Sequence, residues 1–190
     1  MDYWKNIYQN ANIPNEPSNF AKFVVNELGS KIETVVDLGC GNGRDSYYLQ
    51  RYARVVGVDH ASKPNDTDNA SFVQSGMESV EGYYDLIYMR FSLHSVNEEI
   101  EERVLDYAKS NCKYLAIEAR STNDVLCGGD KSNSVETTYA KAHYRRYINI
   151  KTLEKQLLSR GFTIEHISES DKYACYKGTT PMCLRIIAKR

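Results

Sequence analysis

The chain has 190 residues, with 24 basic and 25 acidic side chains and a formal net charge of −1. This length is enough for one domain with its own core, and a composition of 42% hydrophobic and 26% charged residues disfavours disorder, collagen and coiled coil. The near-neutral charge gives no general attraction to nucleic acid or anionic lipid, so neither is expected as a partner.

Cysteine usage and segment hydropathy indicate the compartment. Five cysteines without a CxxC pair argue against a disulfide framework and against a zinc site, and no metal is expected. The start of the chain lacks the basic and apolar pattern of a secretion signal, and no apolar run reaches the roughly 18 residues of a membrane span. We therefore expect a reduced, cytoplasmic enzyme or binding domain without membrane association.

Strands and helices alternate along the chain. The first helix is predicted to begin at the capping Ser18 and to end at Gly29. The predicted strands are the mostly apolar runs at 34–38, 54–58, 71–74, 84–89, 114–118, 162–168 and 182–188. Further helices are predicted after the glycine-rich turn that follows the first strand, at 97–110 and at 151–160.

Apolar strands that alternate with helices are typical of a doubly wound α/β domain, with a largely parallel sheet covered on both faces. Only a loop joins the last two strands, so they should pair antiparallel. We expect residues 1–190 to form a single domain, with an N-terminal cap segment and helix at 1–28. A polar insertion without regular structure is predicted at 121–146, and a loop of that length suggests a function.

The most informative stretch is the turn after the first strand, Val35-Val-Asp-Leu-Gly-Cys-Gly-Asn-Gly43. Glycines between a strand and a helix permit a tight turn and close approach of a ligand. Asp59 ends the next strand, where a carboxylate can hydrogen-bond a ribose diol. The third glycine comes too early for the G-x-G-x-x-G of nicotinamide and flavin sites. Because Asp37 suits a ligand with an ammonium or sulfonium group, the turn points to S-adenosylmethionine.

This turn, followed by an acidic strand end, resembles the class I S-adenosylmethionine-dependent methyltransferases over about residues 30–190. The resemblance implies a Rossmann-like sheet of seven mostly parallel strands with the last strand antiparallel, and S-adenosylhomocysteine as product. Gly76 stands where the family often has an adenine-binding Asp, so Met77 is the expected substitute. The implied cofactor site comprises Asp37 near the amino group, Gly39, Cys40 and Gly41 against methionine and ribose, Asp59 on the ribose, His60 and Met77 at adenine, and Arg90. The alternative is a glycine turn that serves only helix–sheet packing.

The acceptor side lacks the Asp/Asn-Pro-Pro-aromatic motif of amino methyltransferases and has Arg90-Phe-Ser-Leu-His94 instead, which disfavours nucleobase and amide acceptors. The topology should bring polar residues of three segments to the carboxyl edge of the sheet: Arg90, His94, Glu118, Arg120, Asp124, His143, Tyr144, Arg145 and Arg146. Guanidinium groups match phosphate or carboxylate, so we expect a small anionic or carbohydrate acceptor. Arg120 and Arg146 would hold it, while His143 and Tyr144 orient its oxygens. A sugar hydroxyl would need His94 or His143 as general base, whereas an anionic oxygen needs none.

These acceptor-side motifs, with the N-terminal Trp4…Tyr8…Pro14…Pro17, are similar to methyltransferases encoded with bacterial capsule and O-antigen pathways. This narrower resemblance implies O-methylation in surface polysaccharide biosynthesis. The apolar residues among 1–17 predict a lid that excludes water from the site. Several hypotheses stay open: a protein or RNA acceptor, a non-catalytic cofactor-binding module, surface charge at Arg145, a capping or carbonyl-bonding His94, and a Glu118–Arg120 pair. The oligomeric state is open as well.

Overall fold

The computed structural model describes residues 4–6, 8, 14–125, 127, 135–138, 144–176 and 178–190. Its helices are α1 (Asn19–Leu28), α2 (Arg44–Leu49), α3 (Glu98–Asn111) and α4 (Ile150–Ser159). Its strands are β1 (Thr34–Leu38), β2 (Arg54–Asp59), β3 (Ala70–Gln74), β4 (Tyr84–Arg90), β5 (Cys112–Arg120), β6 (Val135–Thr138), β7 (Tyr144–Tyr147), β8 (Thr163–Ser170) and β9 (Cys183–Lys189). The predicted order of strands and helices is confirmed, with most boundaries displaced by one or two residues.

Seven strands form one sheet in the order β3-β2-β1-β4-β5-β9-β8. Strands β1 to β5 pair in parallel, and β9 lies antiparallel between β5 and β8. The prediction of a mostly parallel sheet with the last strand antiparallel is therefore correct. The strand order reverses beside β1, so the loops after β1 and β4 open at the same edge, where ligands of such sheets bind.

Helices cover both faces of the sheet. Phe20, Val24 and Leu28 of α1 pack on one face, and Leu105 of α3 and Leu153 of α4 pack on the other. Helix α1 begins where expected, because the Ser18 hydroxyl accepts a hydrogen bond from the Ala21 backbone N–H at 3.0 Å. Among the described residues, no helix is both long and apolar enough to cross a membrane.

The 121–146 insertion differs from its prediction as a segment without regular structure. Strands β6 and β7 pair antiparallel as a separate two-stranded sheet, with Val135 opposite Tyr147. The reason lies in composition, since β-branched residues in β6 and tyrosines in β7 favour strands and outweigh the polar character of the segment.

The β3 edge of the main sheet has little cover. The described connections at 60–69 and 75–83 contain no α-helix, only the 3₁₀ turn Met77–Ser79. Val73 is 48% exposed and Tyr83 is 60% exposed. A cavity of about 190 Å³ lies between β2, β3 and this turn, lined by Val56, Val58, Val73, Ser75, Ser79, Val80, Glu81 and Tyr84.

Candidate functional site

The glycine-rich turn connects β1 to α2 and is fixed by the end of β2. The Gly39 and Cys40 backbone N–H groups both donate to the Val58 carbonyl, at 2.7 and 3.1 Å. Gly39, Gly41 and Gly43 all have φ between 57° and 80°, a region that side chains with a Cβ rarely adopt. An added Cβ at Gly39 would overlap the Cβ of Ser92, because the loop after β4 passes directly against the turn. Both the positive φ and the short distance to Ser92 therefore require glycine at position 39.

Asp59 lies at the end of β2, directly below the turn. Its carboxylate accepts hydrogen bonds from the Gly41 N–H at 3.0 Å and from the Ala61 N–H at 2.8 Å, one on each oxygen. The side chain is thus held in one orientation, and each oxygen keeps acceptor capacity for a further donor such as a hydroxyl. The predicted ribose role of Asp59 is compatible with this position and stays a prediction.

Asp37 is buried near the end of β1, where its carboxyl accepts a hydrogen bond of 2.6 Å from the Ser46 hydroxyl. Burial raises the pKa of Asp37 to about 7, the Ser46 hydrogen bond opposes the shift, and the neighbouring carboxylates of Asp45 and Asp59 add to it. A cationic ligand beside Asp37 would lower this pKa again, because it stabilises the carboxylate. The position fits a binding partner for an ammonium group.

The other predicted cofactor residues lie around this turn and at the neighbouring strand ends. Cys40 is 9% exposed, and burial raises the pKa of its thiol, which disfavours the nucleophilic thiolate. His60 is exposed after β2, and its carbonyl accepts a hydrogen bond from the Gln74 side chain at 3.1 Å. Met77 is half-buried after β3. The adenine roles of His60 and Met77 remain predictions.

Tyr8 brings the described part of the N-terminal segment to the turn. A Cβ at Gly41 would lie 2.7 Å from the Tyr8 hydroxyl oxygen, and the Trp4 and Tyr8 rings stack with centroids 6.1 Å apart. Burial raises the pKa of the Tyr8 phenol above its usual range, and the charge of Asp59 adds to the shift. This contact supports the predicted lid, which remains a hypothesis.

A buried polar cluster that was not predicted from the sequence connects the turn to α1 and β4. The Asp45 carboxylate accepts hydrogen bonds from the Ser18 N–H (2.8 Å), the Ser18 hydroxyl (2.7 Å) and the Tyr88 hydroxyl (2.8 Å), and it pairs with Arg44 at 3.0 Å. Burial opposes ionisation of Asp45, but the charges of Arg44 and Arg90 outweigh it and lower the pKa of this carboxyl. An acidic residue in a first helical turn resembles an ordinary helix-dipole partner, so the sequence carried no distinct signal for Asp45.

Arg90 lies at the end of β4, and its Nε donates to the buried Glu118 of β5 at 2.9 Å. The second oxygen of Glu118 accepts from Nε of Arg185 at 2.7 Å. The suggested Glu118–Arg120 pair is therefore wrong, since Arg120 instead pairs with Asp124 at 3.0 Å. Arg185 was not predicted as a site residue. The sequence feature that could have identified Arg185 is its charge within the mostly apolar strand β9, Cys183–Lys189.

His94 is buried in the 3₁₀ turn after β4 and does not fit the predicted role of general base. Its Nδ1 accepts a hydrogen bond from the Arg120 backbone N–H at 2.9 Å. In the neutral imidazole the other ring nitrogen then carries the proton, so neither nitrogen is positioned to take one from an acceptor. Nδ1 thus bonds a strand N–H group, and the interpretation of His94 as a helix cap or carbonyl partner stays a prediction.

Arg146 does not fit the predicted role of acceptor ligand. It is 1% exposed, and its guanidinium donates to Glu101 of α3 at 2.8 Å and to the Val96 carbonyl at 3.3 Å. The side chain thus attaches β7 to α3 from within the protein. Tyr144 and Arg145 are half-buried in the same strand, and His143 lies outside the described residues.

The sequence profile of a family described as "Methyltransferase domain" matches residues 10–167, most of the chain. The chain belongs to this methyltransferase family. Its fold is that of the class I S-adenosylmethionine-dependent methyltransferases, as the glycine turn predicted. No curated protein matches the methyltransferase significantly in sequence.

Solved structures of low sequence identity share this fold. The 1,6-didemethyltoxoflavin-N1-methyltransferase of Burkholderia thailandensis, with bound 1,6-didemethyltoxoflavin and S-adenosylhomocysteine, is 16% identical (TM-score 0.70, covering 90% of this chain and 76% of that chain). A methyltransferase of Methanosarcina mazei is 18% identical (TM-score 0.68, coverage 88% and 96%). The glycopeptide N-methyltransferase MtfA, complexed with S-adenosylmethionine, is 12% identical (TM-score 0.65, coverage 92% and 94%).

The predicted cofactor, S-adenosylmethionine, agrees with the family, and the residues of the methyltransferase fit it. The turn has glycines where side chains would fill the space, and Asp59 has acceptor capacity for a diol. The buried Asp37 carboxyl is held by the neutral Ser46 hydroxyl and can still accept a cationic group. These residues would hold the ribose and the amino end of the cofactor.

Replacing Asp59 with Ala should weaken binding of S-adenosylmethionine and S-adenosylhomocysteine by roughly 10- to 100-fold. A charge-assisted hydrogen bond contributes about 1.5–3 kcal/mol, and the Gly41 and Ala61 N–H groups also lose their acceptor. Calorimetric titration of the folded variant measures the change. Asp68→Ala is the control, since Asp68 is an exposed carboxylate on the loop before β3. Equal affinity in Asp59→Ala and the wild type would refute the ribose role.

The pKa of Asp37 predicts a pH dependence of cofactor affinity. Affinity should rise with pH between about 5.5 and 7, because the ammonium of the cofactor requires the carboxylate and the carboxyl is protonated below its pKa of about 7. In the ligand-free protein the raised pKa acts on stability, which changes with pH in the opposite direction. The native state holds this proton above the unfolded pKa, so the free energy of unfolding falls as the pH rises from about 4 to 7.

Asp37→Asn should abolish both dependences and bind the cofactor about 10-fold more weakly at pH 7.5, since it keeps the shape of the side chain but not its charge. Calorimetry and urea unfolding at several pH values provide the measurements. Parallel pH profiles for Asp37→Asn and the wild type would show that another group titrates.

Proposed function

We propose that this methyltransferase transfers a methyl group to an oxygen of a small anionic acceptor in surface polysaccharide biosynthesis. An excess of arginines over the carboxylates that they pair with carries the proposal. Among the described residues, the four guanidinium groups of Arg44, Arg90, Arg120 and Arg185 pair with three carboxylates, those of Asp45, Glu118 and Asp124. A singly charged oxyanion would complete this balance.

The position of His94 favours an acceptor oxygen that is already ionised. A neutral sugar hydroxyl would need a general base, and the hydrogen bond from the Arg120 N–H leaves His94 unsuited to that task. A phosphate, phosphoramidate or carboxylate oxygen needs only to be positioned. The cofactor supplies a methyl carbon activated by its sulfonium, so the protein has mainly to align the reacting atoms and exclude water.

The residues of this chain can perform both tasks. Asp59 and the glycine turn fix the cofactor end, while the partly exposed Arg90 and Arg120 stand at the ends of β4 and β5, on the same edge of the sheet. Tyr8, already against Gly41, is placed to shield the turn from water. The pathway part of the proposal rests on the motif resemblance around Arg90, Glu118 and Arg146.

The test is transfer of a labelled methyl group from S-adenosylmethionine into a panel of sugar phosphates, phosphoramidates, sugar acids, neutral sugars and amines. Labelled product is expected from an anionic compound, with the methyl on oxygen by NMR. Asp59→Ala, impaired in cofactor binding, is the negative control. Label on nitrogen, as in the toxoflavin and glycopeptide enzymes, or only on neutral sugars, would refute the acceptor class. Transfer only to protein or RNA would indicate a macromolecular acceptor, and cofactor binding without any transfer would indicate a non-catalytic module.

A further inference from the structure

Glu118 holds two arginines at once. Its Oε1 accepts from Nε of Arg90 at 2.9 Å and its Oε2 from Nε of Arg185 at 2.7 Å, and its side chain is fully buried. Both arginines use Nε for this contact, and each guanidinium carries four further N–H donors on its two terminal amino groups. The Nη2 atom of Arg185 is buried and has no hydrogen-bond partner among the described residues. Such a donor is costly to leave unsatisfied, so its retention points to a ligand.

Each guanidinium is also fixed by an aromatic ring. The Cζ atom of Arg90 lies 4.4 Å from the centroid of Phe91, and that of Arg185 lies 3.9 Å from the centroid of Tyr173. Phe91 has a φ of 58°, a left-handed conformation that is unusual for a bulky residue and that tends to occur at functional sites. The two cations thus share one carboxylate, but Arg90 contacts the single ring of Phe91 whereas Arg185 contacts three rings, those of Tyr173, Phe20 and Phe23.

The charge of this group is not balanced internally. Two guanidinium charges face one carboxylate, in surroundings where Arg185 is only 6% exposed. Burial raises the pKa of the Glu118 carboxyl, and the charges of the two arginines oppose this shift because they stabilise the carboxylate. A ligand with one negative charge would make the cluster neutral, whereas a doubly charged group would leave an excess of negative charge.

The cluster adjoins the cofactor turn. Arg90 ends β4, and two residues later Ser92 lies against Gly39. Among the two arginines, Arg90 has the more exposed side chain, 18% against 7% for Arg185, so an anion that enters from the surface meets Arg90 first.

We propose that Arg90 and Arg185, joined by Glu118, form a clamp for one singly charged oxyanion of the acceptor, either a carboxylate or a phosphate ester. The clamp rests on the proposed function, since it assumes an anionic acceptor, and it assigns the anion to Arg185 rather than to Arg146. The planar guanidinium presents two parallel donors to such a group, which a lysine cannot do.

The clamp can be tested without turnover. The full chain, labelled with ¹⁵N-arginine and saturated with S-adenosylhomocysteine, is titrated with sodium dimethyl phosphate or with sodium acetate at constant ionic strength. Saturable shifts of the Arg90 and Arg185 Nε–Hε signals are expected, and the probe that binds more tightly distinguishes phosphate ester from carboxylate. Binding should weaken about 10-fold or more in Arg185→Lys, which keeps a cation beside Glu118, and in Arg185→Met.

Arg103→Met, which removes an exposed arginine of α3, is the matched control and should bind the probe as the wild type does. Absence of any shift at Arg90 and Arg185 in the wild type overturns the clamp, as does equal binding in Arg185→Lys. The methyl-transfer panel separates this result from the proposed function. Full turnover of an anionic acceptor by Arg185→Lys would refute the clamp alone, whereas transfer only to neutral acceptors would refute both.

Discussion

Arg146→Met should lower the free energy of unfolding by about 3–5 kcal/mol, because it leaves Glu101 buried without its cationic partner. The two side chains are 1% and 3% exposed, so water cannot replace the lost contact. The Gln156 amide, which donates to Glu101 at 3.2 Å, is a weaker substitute for a guanidinium. Urea unfolding at pH 7 measures the change.

Arg160→Met is the matched control for this variant. Arg160 also pairs with carboxylates of α3, but its partners Glu102 and Asp106 are 49% and 67% exposed, so the loss should be about 1 kcal/mol or less. The double variant Arg146→Met/Glu101→Met should recover most of the lost stability, because it removes the unpaired charge. An Arg146→Met protein with wild-type stability but without methyl transfer would instead support the predicted role of Arg146 as an acceptor ligand.

Gly39→Ala should both destabilise the protein and prevent cofactor binding. At φ +80° a Cβ costs about 1–2 kcal/mol, and its overlap with Ser92 adds roughly 1–3 kcal/mol. Relief of the overlap would move the turn away from the loop after β4, which also displaces the Gly41 N–H from Asp59. We expect a combined loss of about 2–5 kcal/mol in the free energy of unfolding, and no measurable heat on titration with S-adenosylhomocysteine.

Gly178→Ala isolates the backbone contribution. Gly178 has nearly the same φ, +79°, but no atom of the described residues lies within 4 Å of an added Cβ. Its loss of stability should be limited to about 1–2 kcal/mol, with cofactor affinity unchanged. If the two alanine variants were equally stable and both bound the cofactor, the close approach of Ser92 to the turn would not exist in solution.

The order of strands, the cap at Ser18 and the glycine turn could be predicted because their signals are local. A run such as Thr34–Leu38 is mostly apolar, and the glycines after it need no knowledge of distant residues. Asp59 was predictable for a related reason, since the end of a parallel strand next to β1 must lie beside the turn.

The partners of the arginines could not be predicted, because each is chosen by packing between distant segments. Arg146 and Glu101 are 45 residues apart, and Arg185 and Glu118 are 67 residues apart. The sequence shows that a guanidinium group is present, but not whether a carboxylate of the protein already forms an ion pair with it. The proton position on His94 depends likewise on one distant backbone N–H, that of Arg120 in β5.

The sparse cover of the β3 edge has a consequence for how the protein fluctuates. With no α-helix in its described connections, this edge buries few apolar side chains, so local opening there should require less free energy than global unfolding. Amide hydrogens of Ala70–Gln74 should accordingly exchange faster than those of β4 and β5. Because Asp59 lies on β2, the strand paired with β3, cofactor binding should slow this exchange, and hydrogen–deuterium exchange with and without S-adenosylhomocysteine measures it. Hydrogen exchange in β3 would then indicate whether the cofactor is bound at the glycine-rich turn.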